Sequence, residues 1–140
     1  MKRYISSVTD IRKAAEQGNA DAQFNLGLMY FEGEEVSQDD AEAVNWWRNA
    51  AEQGDADAQF NLGLMYNKGE GVPQDDAEAT NWHRKAAEQG IATAQYNLGL
   101  IYNSGKGVSR DDAEAVKWWR KAAEQGLAAA QSILDKIKDK

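Results

Sequence analysis

The chain contains no cysteine and a single histidine, His83. The lack of cysteine excludes disulfides, thiolate nucleophiles and cysteine metal ligands. One imidazole without a second histidine or cysteine does not make a convincing zinc site, and no nucleophile lies at a recognisable spacing for a hydrolase triad. We therefore expect no catalytic residues, no metal and no cofactor, and we expect His83 to be structural.

Long apolar runs and basic stripes are also missing. No stretch approaches the ~18 apolar residues of a membrane span. The 16 Lys and Arg are outnumbered by 23 Asp and Glu, and the resulting net charge of −7 is a poor match to nucleic acid or anionic lipid. The first seven residues carry charge without an apolar run, so we expect no signal peptide and a cytoplasmic location. A periplasmic or secreted location would require a leader that has been removed.

The chain does contain a repeat. The string Ala-Ala-Glu-Gln-Gly occurs four times at intervals of 36 residues. A fixed period of this size predicts a solenoid, in which each unit buries its apolar face by stacking on its neighbours. We expect one domain over residues 1–140, with a capping helix in 1–18, full repeats at 19–54, 55–90 and 91–126, and a second capping helix in 127–140.

Each repeat predicts two helices, which gives about eight helices and an all-α fold. In the first helix of a repeat, the apolar residues fall on two opposite faces. One face holds Ala22, Leu26, Met29 and Tyr30, and the other holds Phe24, Leu28 and Phe31. The second helix begins at an aspartate followed three residues later by glutamate, as at Asp39 and Glu42, which is a capping-box pattern, and it ends at a glycine. Glu35 stands where the other repeats have glycine, so we expect that loop to be strained or differently shaped.

Three motifs of the first repeat resemble the Sel-one-like repeat (SLR) family. They are Ala22-x-x-x-Leu26-Gly27-x-x-Tyr30, Asp39-x-x-x-Ala43-x-x-Trp46 and Ala50-Ala51-Glu52-Gln53-Gly54, and the resemblance extends over about residues 10–134. The resemblance implies a right-handed α-solenoid, related to tetratricopeptide repeats, with first helices inside and second helices outside. It also implies adaptor or scaffold work in protein complexes. Some bacterial relatives are cysteine-rich, exported and associated with penicillin binding.

The inner face lined by first helices is the candidate binding surface. Its aromatic and leucine columns suit the side chains of a bound peptide, and its asparagines suit the peptide backbone because they both donate and accept hydrogen bonds. The alternative is that the apolar columns seal neighbouring helices while the asparagines tie loops. The predicted partner-binding residues are Phe24, Asn25, Leu28, Phe31, Phe60, Asn61, Leu64, Asn67, Tyr96, Asn97, Leu100 and Asn103.

Two adjacent positions of the second helix form an aromatic pair. The first position is Trp46, Trp82 or Trp118, and the next is Trp47, His83 or Trp119. Both positions flank the alanine ridge of the helix, so we expect them to pack between repeats. The alternative is a binding surface in which His83 leaves a gap between two tryptophans.

These patterns favour a non-enzymatic protein-interaction module that binds a peptide or a protein surface in a concave groove. A self-associating scaffold is the alternative, because the same apolar columns could pair with another copy. A weaker alternative is a hydrolase-like activity of the kind suggested for cysteine-rich relatives. We expect a monomer or a weak homo-oligomer, with no nucleic-acid partner and no membrane insertion.

Overall fold

The computed structural model describes residues 7–139 and shows only α-helices and their connections in that range. The described residues form eight helices, as the repeat count predicts. They are α1 (Val8–Glu16), α2 (Ala20–Glu32), α3 (Asp40–Glu52), α4 (Ala56–Lys68), α5 (Asp76–Glu88), α6 (Ala92–Ser104), α7 (Asp112–Glu124) and α8 (Ala128–Lys138). Residues 1–6 of the predicted N-terminal cap and Lys140 of the C-terminal cap lie outside the described residues.

The contacts between residues group the chain into two compact units, Met1–Gln74 and Asp75–Lys140. In the first unit, α2 packs against α1 and α3, and α3 packs against α4. In the second unit, α6 packs against α5 and α7, and α7 packs against α8. Each unit is therefore a stack of consecutive helices, and the prediction of a single domain stays a prediction.

Aspartates cap the second helices as the sequence predicts. Asp39 Oδ1 accepts a hydrogen bond from the Glu42 backbone N–H at 3.1 Å, and Asp75 and Asp111 do the same in their repeats. The reciprocal half of the capping box is not formed at Asp39, because its own N–H donates to the Tyr30 carbonyl at 2.9 Å. The loop thus returns to the end of α2, and this contact replaces the glutamate as acceptor.

The Ala-Ala-Glu-Gln-Gly string does more than end a helix. Gln23 is buried, and its Nε2 donates to the Ala15 carbonyl at 3.0 Å, while its Oε1 accepts from Gln53 Nε2 at 2.8 Å. In the second unit, Gln95 bonds the Ala87 carbonyl and Gln125 in the same way. One copy of the string therefore supplies an alanine carbonyl that accepts from the buried glutamine. The next copy supplies a glutamine amide that donates to it. Sequence periodicity did not predict this link.

Tryptophan and glycine set the contact between the two helices of a repeat. Trp47 is 2% exposed, and its indole N–H donates to the Phe24 carbonyl of α2 at 3.2 Å. A Cβ added to Gly27 would overlap the pyrrole edge of this indole. In the second unit, Trp119 makes the same contacts with Gly99 and with the Tyr96 carbonyl.

The expectation that the aromatic pair packs between repeats is only partly right. Trp47 and Trp119 lie against the first helix of their own repeat, and Trp119 also belongs to an apolar cluster with Ala130 of α8. Trp46, Trp82 and Trp118 are half-buried.

Hydrogen bonds between arginine and tyrosine join a first helix to the helix that precedes it. Arg12 of α1 donates to the Tyr30 hydroxyl of α2 at 2.9 Å. The same pair recurs between α3 and α4 and between α5 and α6, as Arg48 to Tyr66 and Arg84 to Tyr102. The guanidinium carbon of Arg12 also lies 5.7 Å from the centre of the Tyr30 ring, within range of a cation–π attraction. Tyr30 therefore serves the contact between repeats as well as its own helix pair.

The loop after α2 contains a strained residue, as one of the two sequence alternatives predicts. Glu35 adopts φ +63°, a conformation that favours glycine, and Gly71 takes φ +73° at the equivalent position. Gly71 is needed for space as well, because a Cβ there would lie 2.5 Å from the Asp40 carbonyl oxygen.

We predict that Gly27→Ala destabilises the protein, although alanine is normally the better helix residue by about 1 kcal/mol. The added methyl group must displace the Trp47 indole, and overpacking of this kind costs about 1–3 kcal/mol. In a Trp47→Leu background the clash is removed, so Gly27→Ala should become neutral or stabilising there. Urea unfolding of the wild type, the two single variants and the double variant measures this double-mutant cycle. An equal cost of Gly27→Ala in both backgrounds would contradict the contact.

We predict opposite effects for exchanging residues between the two equivalent loop positions. Glu35→Gly should raise the free energy of unfolding by about 0.5–1 kcal/mol. The free energy gained by relieving backbone strain exceeds the free energy lost because glycine makes the unfolded chain more flexible. Gly71→Glu should lower it by about 2 kcal/mol or more, since strain is added to a clash with Asp40. Urea unfolding of both variants would disprove the prediction if the two changes had the same sign.

Candidate functional site

The predicted partner-binding residues all lie on the first helices α2, α4 and α6, and none of them is fully buried. Leu26, Leu62 and Leu98 of the same helices are 0% exposed, so the two faces of each helix are clearly different. Asn25, Phe31, Leu100 and Asn103 are exposed, and the other eight are half-buried. These side chains are therefore available for contact, as expected.

Four of the predicted residues meet in a recess of the first unit, called recess 1. It lies between α2 and α4, has a volume of about 190 Å³, and has Trp47 of α3 in its wall. The Phe31 ring is 39% exposed and lies 5.5 Å from the Trp47 ring at an angle of 44°. The lining residues are Leu28, Phe31, Glu32, Trp47, Asn61, Leu64, Met65, Lys68 and Glu70.

A second recess, called recess 2, occupies the equivalent place in the second unit. It lies between α6 and α8, and Trp119 of α7 is in its wall. Its lining residues are Leu100, Asn103, Trp119, Ile133, Lys136 and Ile137. Both recesses therefore combine two first-type helices with the tryptophan of the second helix between them.

The tryptophans and the apolar residues of α8 line the recesses, which the sequence patterns did not predict. Trp47 and Trp119 are buried packing residues, as expected, but each also lines a recess. The signal that could have found them is a glycine inside a first helix followed by a tryptophan in the next helix, as in Gly27 and Trp47. The predicted residues that line neither recess are Phe24, Asn25, Phe60, Asn67, Tyr96 and Asn97.

Four of the five predicted asparagines can be sorted by their hydrogen bonds. Asn103 donates to Asp112 Oδ1 at 3.1 Å, and Arg110 pairs with the same carboxylate at 3.0 Å, so Asn103 ties a loop. The Arg110 guanidinium and this hydrogen bond lower the pKa of Asp112. Within residues 7–139, the side chains of Asn25, Asn61 and Asn97 form no hydrogen bond, so their amides are available to a partner.

His83 is completely buried in α5, and burial lowers its pKa to about 4. The imidazole is therefore neutral at pH 7, and a reactant in solution cannot reach it. Across the described part of the chain, no group of three or more His, Asp or Glu side chains is placed to hold a metal ion.

The repeat sequence and the paired helices agree with a match to a known family. The model of the Sel1 repeat family matches residues 11–19, 20–55, 56–91 and 92–127. The chain belongs to the Sel1 repeat family. The three full matches begin one residue later than the repeats read from the sequence. Sel1 repeat proteins are typically protein-interaction modules and are generally non-catalytic scaffolds.

Solved structures of Sel1 repeat (SLR) proteins share the fold. A protective antigen of uropathogenic Escherichia coli with an SLR fold is 49% identical over 91% of this chain, with a TM-score of 0.86. This chain spans only 27% of that antigen. A Sel1 repeat protein from Oxalobacter formigenes is 40% identical, with a TM-score of 0.85, and the match covers 92% of this chain and 97% of the other.

Cysteine-rich members of the fold are also similar. Helicobacter pylori cysteine rich protein B is 25% identical, with a TM-score of 0.69, over 91% of this chain and 97% of that protein. No curated protein matches this chain significantly. The predicted fold class, an all-α solenoid of helix pairs, is thus confirmed for this Sel1 repeat protein. In the part of the chain that the structure describes, no helix is long and apolar enough to cross a membrane.

We predict that His83 makes this Sel1 repeat protein less stable in acid. Its pKa is about 4 in the folded state and about 6.5 in the unfolded chain, so the unfolded state binds the proton first as the pH falls. The free energy of unfolding should therefore decrease between pH 6.5 and pH 4, by about 3 kcal/mol from this group.

The matched variant is His83→Trp, which places at this position the residue found in the other two repeats. Urea unfolding at pH 7 and pH 4 should show a smaller pH dependence for the variant, because the carboxylates contribute equally to both proteins. Equal pH dependence of the two proteins would assign the effect to the carboxylates instead.

Proposed function

We propose that this chain is a non-enzymatic protein-interaction module, and that the first-helix faces bind a polypeptide. The proposal is supported chiefly by recess 1 and recess 2, which present partly exposed apolar side chains at equivalent places in the two units. The role of Sel1 repeats in protein interactions is consistent with it. A partner would insert an apolar side chain into a recess and lay its backbone along the neighbouring helix.

The size of recess 1 suits a single side chain, whereas recess 2, at about 360 Å³, is large enough for more than one. The volume of recess 1 is about 190 Å³, whereas pockets for drug-sized ligands measure about 300–1,000 Å³. An apolar cavity of about 150 Å³ is enough to hold benzene. Recess 1 therefore suits one leucine, methionine or aromatic side chain of a protein partner.

Asn61 can hold the backbone of such a partner. It lines recess 1, and its amide forms no hydrogen bond within the described residues. A carboxamide can both donate to a peptide carbonyl and accept from a peptide N–H. Asn61 would thus hold the chain next to the inserted side chain.

A catalytic role has little support in the chemistry of these residues. His83 is neutral and 0% exposed, and the chain has no cysteine. Hydrolysis by a triad or by a metal-bound water needs an accessible base or a ligand cluster. We therefore propose a binding role only.

We predict that substitutions in recess 1 weaken peptide binding. Random peptides of about 12 residues displayed on phage would be selected on the wild-type protein, and the affinity of a selected peptide would be measured by fluorescence anisotropy. Phe31→Ala should weaken binding about tenfold or more, as expected for loss of an aromatic anchor. Asn61→Ala should weaken it about threefold to tenfold through loss of hydrogen bonds.

The matched control is Asn45→Ala, which removes an exposed asparagine from the second helix α3. It should leave the affinity unchanged, and circular dichroism would confirm that all variants are folded. If Phe31→Ala and Asn61→Ala bound the peptide as well as Asn45→Ala does, the recess model would be wrong.

Self-association is the second candidate, because Phe31 and Leu100 are exposed large apolar residues, each 39% exposed. Light scattering coupled to size-exclusion chromatography separates the two functions. A monomer at micromolar concentration supports the interaction module. A stable dimer that dissociates on Phe31→Ala would favour the scaffold.

A further inference from the structure

We propose that recess 1 selects an apolar side chain flanked by lysine or arginine, so that the partner is a basic segment of another protein. This inference rests on the proposed function, because it assumes that recess 1 binds a polypeptide. It adds the charge of the partner, which we infer from the charged residues around the recess and not from its apolar wall.

The negative charge of the chain is concentrated in the first unit. Residues 1–74 contain 13 Asp and Glu against 6 Lys and Arg, whereas residues 75–140 contain 10 of each kind. The first unit therefore carries the whole net charge of −7. A uniform acidic surface that serves only solubility would be divided between the two units.

Carboxylates of this excess lie at recess 1. Glu32 at the end of α2 and Glu70 in the loop after α4 line it, and both are exposed. Glu34 and Glu35 follow Glu32 in the chain and are also exposed. Among the described residues that line the recess, Lys68 is the one cation.

Within residues 7–139, these carboxylates form no ion pair. The ion pairs within the described residues join Arg110 to Asp112 and Lys117 to Glu114, and both pairs lie in the second unit. Glu32 and Glu70 lie farther than 4.0 Å from any lysine or arginine nitrogen of residues 7–139. Their negative electrostatic potential therefore acts on a bound partner.

An apolar wall beside exposed carboxylates fits a basic amphipathic segment. The apolar side chain gains free energy by leaving water, and the flanking cations gain a smaller, salt-dependent attraction that favours the correct partner. Recess 2 has Asn103 and Lys136 instead of carboxylates in its lining, so it does not share this preference.

Other occupants fit recess 1 less well. Nucleic acid would be repelled by the carboxylates. In a symmetric pair of copies, the acidic residues 1–74 of both would meet. The exposed Ile137 of α8 lies between Lys136 and Lys138, but Asp135 and Asp139 balance these two lysines. A basic segment of a different protein is the occupant that matches both the wall and the charge.

The test compares peptides selected from the displayed library of about 12 residues on wild-type protein and on charge variants. Peptides enriched on the wild type should carry an aromatic or aliphatic residue next to lysine or arginine. For one such peptide, Glu32→Gln combined with Glu70→Gln should weaken binding about threefold to tenfold, as expected for exposed charges. Lys68→Gln should strengthen binding about twofold to threefold, because it removes the cation of the lining.

The matched control is Glu88→Gln combined with Glu124→Gln, which changes the net charge equally in the other unit. It should alter the affinity less than about twofold. Raising the salt concentration from about 0.05 M to about 0.5 M should weaken binding to the wild type more than to the Glu32→Gln, Glu70→Gln protein. A local effect of the recess carboxylates requires both results.

The outcomes separate this inference from the function on which it rests. If apolar peptides without basic residues are enriched, and Phe31→Ala weakens them while the glutamate variants do not, the charge preference is wrong and recess binding stands. If the control weakens binding as much as the recess variants, net charge alone acts and the inference is also wrong. If no peptide is enriched on the wild type, both the inference and the proposed function fail.

Discussion

In the first and third repeats, the contact between a tryptophan indole and a glycine backbone determines how the two helices approach each other. In the first unit, Trp47 occupies the space that a side chain at Gly27 would take, and its N–H reaches the Phe24 carbonyl at 3.2 Å. The large ring buries much apolar area, which outweighs the cost of about 1 kcal/mol for glycine inside a helix. Because the polar atom of the indole is hydrogen-bonded to backbone, the rest of the ring can form an apolar wall. The recess beside it follows from this contact.

The sequence predicted those features of the fold that one residue type at one spacing determines. The period of 36 residues gave the helix pairs, the aspartates gave the helix starts, and Gly54 with φ +98° gave the turn. It did not predict contacts between side chains that are distant in sequence. Gln23 bonds Ala15 and Gln53, and Arg12 bonds Tyr30, across helix interfaces whose geometry the repeat pattern does not specify.

For the candidate site, the sequence predicted which side chains are exposed but not which of them meet in a recess. The helical wheel correctly separated exposed side chains such as Phe31 from buried ones such as Leu26, since amphipathic spacing determines which face of a helix is buried. It could not show that Leu64 and Trp47 share one recess, because that depends on the rotation and distance of neighbouring helices. It also could not distinguish Asn61, whose amide is available, from Asn103, which binds Asp112.

The apolar wall is similar in the two recesses, whereas the charged residues at their edges, here called the rim, differ. These two features have different consequences for recognition. A tryptophan held against glycine recurs in both units, so under the proposed function each recess would offer similar apolar contact to a partner side chain. The charged residues differ, with Glu32, Lys68 and Glu70 around one recess and Lys136 beside the other. Rim charges change free energies by only about 0.2–1 kcal/mol each, yet they act with opposite sign on acidic and basic partners. Under the proposed function, substitutions of the charged residues beside a recess would therefore change the partner of a repeat without altering the packing that holds the fold.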